Sequence, residues 1–358
     1  MDKRIILAVA GSGKTRYLID ELNLERKCLF ITYTINNTRN LKEGIIKKFG
    51  YFPENINLYT YYNFLYSFCF RPFLAYKIKP KGIQWEAPPK WTSMKKRSDP
   101  LFYLTNERRL YSNRIAKLLE TCSVFEEIND RIVKYYDCLF IDEIQDFAGH
   151  DFNLLKSIAK ANLEMKLVGD FYQHTFDTSR DGNTNANLHK NYIKYQKEFE
   201  KMGVQVDTER LNKSYRCSPT ICKFITDEIG IVIQSHYEEE TIVQFIDKEE
   251  AGAIYNNNNI VKLFYRENYK YDCFSRNWGD CKGENCYDDV CVVLNKTTMK
   301  HYKEGKLNEL KPVTKNKLYV ACSRANKGLY LVSEELIKKY EKNTYQIIAP
   351  SITKKTKT

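Results

Sequence analysis

A glycine loop lies almost at the start of the chain and restricts what can be built around it. Residues 8–19 read AVAGSGKTRYLI. The apolar run over residues 4–9 has the character of a buried strand, and residues 14–22 that of a helix. A strand that turns through glycines into a helix gathers backbone N–H groups and the positive end of a helix dipole at one point. That point is a cradle for phosphate. The full phosphate-loop pattern has Gly, four residues, then Gly-Lys-Ser/Thr. Ala8 stands at its first position here, so the pattern departs by one residue. The working parts are Ala10, Gly11, Ser12, Gly13, Lys14 and Thr15. The glycines permit the tight turn, Lys14 would reach the β- and γ-phosphates, and Thr15 would hold Mg²⁺. Taken alone, the segment could also be an ordinary strand–turn–helix.

Two later segments supply what hydrolysis would need. Residues 135–147, YYDCLFIDEIQDF, contain an apolar strand ending on Asp142-Glu143. Ligands gather at the carboxyl ends of parallel strands. Asp142 would hold Mg²⁺ and Glu143 would orient and deprotonate an attacking water. Residues 165–176, MKLVGDFYQHTF, form a third strand followed by Gln173, placed to report the γ-phosphate. Phosphate loop, acidic strand and sensor strand predict an α/β fold with a parallel sheet of the recombinase (RecA) type.

Size and charge add limits. With 358 residues the chain can hold two domains, and its net charge of +12 favours a polyanionic partner. No run of apolar residues is long enough to span a membrane. The first residues, MDKRIILAVAGSG, read as a strand feeding the loop rather than as a signal peptide. The eleven cysteines are then expected as reduced thiols, which implies a cytoplasmic setting. Cys273, Cys281, Cys286 and Cys291 lack paired metal-ligand spacing, so buried thiols are the default over a zinc site.

The motifs together resemble the superfamily 1 helicases of the UvrD/PcrA/Rep type. AGSGKTR, DEIQD and VGDFYQ match that family's phosphate loop, acidic strand and sensor. ITYTINNTRNLKEGI (residues 31–45) and LYTYYNFLYSF (58–68) resemble its segments that meet single strands. LNKSYRCSPTICKFI (211–225), NWGDCKG to DDVCVVL (277–294) and KLYVACSRANKGLYLV (317–332) resemble its later motifs, in the family's order. The resemblance implies two RecA-like lobes, each a mostly parallel sheet flanked by helices, with an ATP cleft between them. The first would cover residues 1–205, with a reduced basic insertion at about 70–135. The second would cover 206–358, with a short insertion at about 226–276. Arg16 would lie near the nucleotide, Tyr215 would stack on adenine, and Lys282 and Gly283 would line the cleft. Arg216 and Arg324 would reach the γ-phosphate. The arginine at 324 follows what reads as an apolar, strand-like run. Tyr33, Thr34, Thr60, Tyr62 and Phe176 would contact nucleic acid, with Tyr61 and Phe64 as further aromatic candidates against a core-packing alternative. The resemblance also implies ATP and Mg²⁺ as cofactors, single-stranded DNA as the favoured substrate and 3′-to-5′ movement.

Departures from the family modify the expectation. Where the family has a tryptophan past the sensor strand, Thr178 stands here. Between residues 71 and 119 there are twelve Lys and Arg against three acids, an excess of nine. Trp85 and Trp91 lie among these cations, near Pro80, Pro88 and Pro89. A basic, aromatic, proline-broken loop suits a nucleic-acid backbone, with a solvated loop packed on its own tryptophans as the alternative. The second insertion is nearly absent. The chain is therefore expected to translocate on single strands and to need a partner, such as a nuclease, for efficient unwinding. The alternative is an ATP-gated nucleic-acid-binding switch, or a regulatory subunit, without processive movement.

Overall fold

The computed structural model describes residues 1–175, 182–283 and 287–342. Phe176, Thr178 and Cys286 lie outside the described residues. The chain divides into two compact units. One holds Met1–Ala8 and Lys14–Arg210; the other holds Val9–Gly13 and the chain from Leu211 onward.

The first unit carries strands β1 (Lys3–Leu7), β2 (Cys28–Thr32), β3 (Ile56–Thr60), β4 (Gly82–Gln84), β5 (Arg109–Tyr111), β6 (Cys138–Ile141), β7 (Glu164–Gly169) and β8 (Gln205–Asp207). Six of them form one sheet in the order β3-β2-β6-β7-β1-β8, and every pairing is parallel. Every residue of β2 and β6 is buried. That is why both read as unbroken apolar runs: a parallel sheet covered by helices on both faces hides both sides of each strand. Helices Lys14–Glu21, Ile35–Phe49, Phe125–Tyr135, Gly149–Ile158 and Tyr192–Lys201 flank the sheet. Thr34 caps the longest of them by accepting the Asn37 N–H, and Gly50 ends it in the left-handed region at φ 80°.

Parallel pairing puts all carboxyl ends on one edge of the sheet. Leu7 of β1 is in register with Gly169 of β7, and Ile141 of β6 with Leu167. The sensor strand thus lies between the strand that feeds the phosphate loop and the acidic strand. Tyr61 and Phe64, weighed above as nucleic-acid aromatics, are fully buried. Each follows β3 and turns inward, so both belong to the core.

The basic insertion is not a solvated loop. β4 and β5 pair in parallel as a small satellite sheet. Two of its twelve cations are interior: Arg114 is 2% exposed and Lys117 is 6% exposed. The Arg114 guanidinium lies over the Phe102 ring and donates to Thr92 Oγ1 at 2.9 Å and to the Phe102 carbonyl at 2.5 Å. Lys117 sits above the same ring. A guanidinium that supplies several donors to fixed acceptors ties together the turns around it.

The second unit carries β9 (Lys213–Ser214), β10 (Gln234–Ser235), β11 (Ile242–Ile246), β12 (Ile260–Phe264), β13 (Ser275–Asn277), β14 (Tyr287–Leu294) and β15 (Ala325–Ser333). Its main sheet is again wholly parallel, in the order β11-β15-β14-β12-β13, with β9 and β10 as a separate parallel pair. The run before Arg324, expected as strand-like, is a helix over Pro312–Cys322. Leu318 to Cys322 are all buried. A helical stretch hidden on every side, as Leu318–Cys322 is, loses its amphipathic period and cannot be told from a buried strand by pattern.

Replacing Arg114 with Ala should cost about 2–4 kcal/mol of unfolding free energy, the scale for breaking a buried charged hydrogen-bond network. Urea denaturation followed by fluorescence measures it; a loss under 0.5 kcal/mol, roughly the surface-substitution range, would show that Arg114 does not hold the insertion.

Candidate functional site

Gly11 and Gly13 adopt φ of 72° and 84°, the left-handed backbone that glycine tolerates best. Ser12 closes the turn, its hydroxyl donating to the Val9 carbonyl at 2.9 Å. Lys14, buried, opens the helix Lys14–Glu21. The sequence therefore makes the strand–glycine turn–helix that phosphate binding requires.

One residue on, the Thr15 hydroxyl donates to Asp142 Oδ2 at 2.7 Å. Asp142 is 1% exposed at the end of β6, and its other oxygen accepts the Glu143 N–H at 2.9 Å. Glu143 is itself held at φ 59°, unusual for a residue with a side chain. Gln145 locks the surrounding turn. Its amide donates to the Glu143 carboxylate, and its side-chain carbonyl oxygen accepts the Asp170 N–H at 3.1 Å. The backbone oxygen of Gln145 also meets His174 Nδ1 at 2.9 Å. The acidic strand end is thereby tied to the sensor turn Phe171–Gln173, in which Gln173 is buried. Lys14, Thr15, Asp142, Glu143 and Gln173 thus all stand on the carboxyl edge of one sheet. Arg16 does not join them through any of the described contacts: its exposed guanidinium pairs with Asp20 at 3.3 Å.

Burial, then the neighbouring Glu143 carboxylate, push the Asp142 carboxyl up to about 7, against the Thr15 hydroxyl and Lys14. A carboxylate so disfavoured in its charged form is a group that gains from a cation. Hydroxyl and carboxylate oxygens in contact are hard donors of the kind Mg²⁺ takes. Among the described residues no group of three or more His, Cys, Asp or Glu is arranged to hold a metal. An ion on Thr15 and Asp142 would therefore draw its other ligands from water and phosphate.

The expected nucleic-acid residues of this unit cluster beyond β2 and β3. Tyr33 stacks on Tyr61 with centroids 5.8 Å apart, and its hydroxyl donates to that of Tyr62 at 3.1 Å. The Thr34 and Thr60 hydroxyls accept the Asn37 and Asn63 N–H groups as helix caps.

In the second unit, Arg216 and Arg324 converge on one turn. Arg216 Nη1 donates to the Ser323 carbonyl at 3.2 Å, and Arg324, buried, donates through Nε to the Val320 carbonyl at 3.4 Å. Ser214 Oγ accepts the Arg216 and Cys217 N–H groups and fixes the start of that segment. Residues Val9–Gly13 pack with this unit. Ala10 N–H donates to the Tyr319 hydroxyl at 2.8 Å, and Tyr215 N–H to the Gly11 carbonyl at 2.9 Å. A Cβ at position 11 would lie 2.7 Å from both Arg216 Cβ and Ser214 Oγ, so only glycine fits there. The Tyr215 ring, 57% exposed, lies flat on His236 at 3.7 Å. With Arg216, Tyr237, Asp289 and Tyr330 it lines a cavity of about 590 Å³. Gly283 takes φ 77° at the last described residue before β14.

A profile of the family described as "Viral superfamily 1 RNA helicase core domain" matches residues 92–333, about two thirds of the chain. The chain belongs to that family. The match is to the family's helicase core domain. The matched span holds the acidic strand, the sensor and both arginines, and begins after the phosphate loop. No curated protein matches the chain. Among solved structures, an arterivirus nonstructural protein 10 (helicase) in complex with DNA aligns at 13% identity with a TM-score of 0.49, covering 94% of this chain and 62% of that one. The helicase of PRRSV aligns at 12% identity and 0.46, covering 93% and 52%. The chain thus spans less than two thirds of the length of these structures.

Sequence reasoning overlooked Gln145, although it stands in the DEIQD segment; nothing in composition distinguishes a bridging glutamine from a surface one. It also overlooked Tyr319 and His236, whose partners are distant in sequence. Gln145→Ala should lower turnover about 10²-fold, the scale for a misplaced catalytic group, with KM for nucleotide little changed. Steady-state ATPase kinetics test this, and an unchanged kcat would show that Glu143 needs no such support. The Asp142 shift gives a second expectation. Folded Asp142 keeps its proton up to about pH 7, whereas an unfolded aspartate releases it near about 4. The folded state binds more protons in that window, so stability of the nucleotide-free protein falls as pH rises through it. Asp142→Asn should raise the Tm at pH 8 and raise it less at pH 5; equal gains at both would contradict the burial effect.

Proposed function

We propose that the chain is an ATP-driven translocase on single-stranded nucleic acid. The contact between Thr15 and Asp142, with Glu143 fixed beside it, carries the reading: a phosphate loop joined to an acidic pair is the apparatus of nucleotide hydrolysis. In the proposed reaction Ala10–Arg16 bind the triphosphate, and Lys14 offsets charge on its β- and γ-phosphates. Thr15 and Asp142 would hold Mg²⁺, which when bound would supply neutralisation of charge on the phosphates. Glu143 takes a proton from the attacking water, and Gln173 reports loss of the γ-phosphate. The motif resemblance assigns Arg216 and Arg324 to the γ-phosphate, and such arginines contribute roughly 10³–10⁵ in rate. Tyr215 offers one ring face to the base, and the motif resemblance assigns Gly283 to the same nucleotide.

The finer features of the proposal rest on narrower support. Placement with the UvrD/PcrA/Rep type, DNA as substrate, 3′-to-5′ polarity and a partner that assists unwinding all follow from the motif resemblance. The matched family's description names RNA. No helix among the described residues is long and apolar enough to cross a membrane. A cytoplasmic setting, and the division of labour between residues 1–205 and 206–358, belong to the same proposal.

Hydrolysis should be stimulated by one class of polynucleotide, so ATPase rates with single-stranded DNA, single-stranded RNA and duplex identify the substrate. Absence of stimulation by any of them would overturn the reading. Lys14→Ala should abolish binding of a fluorescent ATP analogue. Glu143→Gln should still bind it while hydrolysis falls by about 10²–10⁴, the range for loss of a general base. Displacement of streptavidin from biotinylated strands separates movement from an ATP-gated switch.

A further inference from the structure

The insertion places an exposed tryptophan on the aromatic cluster at the carboxyl edge of the first sheet. Trp85, directly after β4, meets the Tyr62 ring edge-on at 5.0 Å and 88° and remains 63% exposed. Tyr62 is bound through its hydroxyl to Tyr33, and Ser112, after β5, engages the same hydroxyl. Tyr33 and Tyr62 both pack on buried Tyr61, which abuts Phe147 at 4.6 Å. A continuous chain of rings thus runs from the core to Trp85. It anchors the indole without covering it.

The surroundings carry charge suited to a phosphate backbone. Arg109 of β5 is exposed and donates to the Ile83 carbonyl, two residues before Trp85. Arg108, just before β5, donates through Nε to the Lys79 carbonyl, three residues before β4. The carboxylate next to the indole in the chain, Glu86, accepts from Gln84 at 3.3 Å. The helix Ile35–Phe49 begins at Thr34, next to Tyr33. Trp91 differs: its short helical turn is pinned from below by Arg114 through Thr92, and no ring of the Tyr33–Tyr62 cluster touches it among the described contacts. An exposed indole costs solvation in the free protein, and a preset aromatic beside cations is what a single strand uses for stacking.

We propose that Trp85 is a base-stacking residue of the nucleic-acid path, carried there by the reduced insertion and aligned by Tyr62. This rests on the translocase reading and adds a residue outside the motifs. The insertion then contributes one aromatic step next to the strand ends that bear Tyr33 and Tyr62.

The test uses the 358-residue chain with fluorescein-labelled dT15 and U15 at fixed salt. By anisotropy, Trp85→Ala should bind the preferred oligomer about 5- to 160-fold more weakly, the span of one stacked base, whereas Trp85→Phe keeps most of the affinity. Unlabelled oligomer should quench intrinsic tryptophan fluorescence. Trp278 is fully buried, so the quench should vanish in Trp85→Phe and persist in Trp91→Phe. Affinity of Trp85→Ala within twofold of the parent, or a quench that survives in Trp85→Phe, overturns the inference. Thermal melts check folding, and the quench in Trp85→Phe decides the matter if the alanine variant melts early. Failure of the parent to bind either oligomer would overturn the translocase reading itself, and this inference with it.

Discussion

One contact, the half-buried Thr15 hydroxyl on the buried Asp142 carboxylate, links the helix that follows β1 to the end of β6, a strand that is not β1's neighbour. β1 and β6 are separated by β7, so the pair has to reach past the end of that strand. Gly169 stands there, and a Cβ on it would come within 2.3 Å of Gln145 Oε1 and 2.7 Å of the Ile144 side chain. The absence of a side chain at one residue lets the acidic turn fold over the sensor strand. Everything chemical in the first unit follows from that closeness: Gln145 can touch both Glu143 and the Asp170 amide because no side chain intervenes.

Electrostatics and packing divide the chain's positive charge into two roles. Arg114 and Lys117 are turned inward and hold the insertion together around Phe102. Arg109 and the remaining exposed cations of the segment face water. Counting charges treats these alike, yet only the second kind can meet a polyanion. In the second unit a cation is again fixed by the fold at the Ser323 turn, where Arg216 is oriented by a backbone carbonyl before any ligand arrives. Such preset donors need little rearrangement to meet developing charge.

Much of this was legible in the residues because the relevant contacts are local. The glycine loop, the Asp142-Glu143 strand end and the Gln173 turn each announce themselves within a dozen positions, and alternating apolar runs and helical stretches imply a parallel α/β sheet. What escaped was tertiary. The C-terminal half of the helix over Pro312–Cys322 is buried all round, which erases its period there. Phe64 and Tyr62 are two residues apart in one aromatic stretch, yet one is core and the other abuts Trp85. Which way each ring turns depends on the insertion packed against them, some twenty residues downstream. His236 under Tyr215 is equally invisible, since no rule of spacing joins residues 215 and 236.

Glu143 sits in a backbone conformation that side-chain-bearing residues usually avoid, at a cost on the order of 1–3 kcal/mol. That energy comes out of the fold's own margin, which for any domain is small. Relaxing the kink would recover that energy while moving the Glu143 carboxylate away from the Gln145 amide that holds it. Holding that carboxylate beside Asp142 therefore comes at the expense of stability in the backbone that carries it.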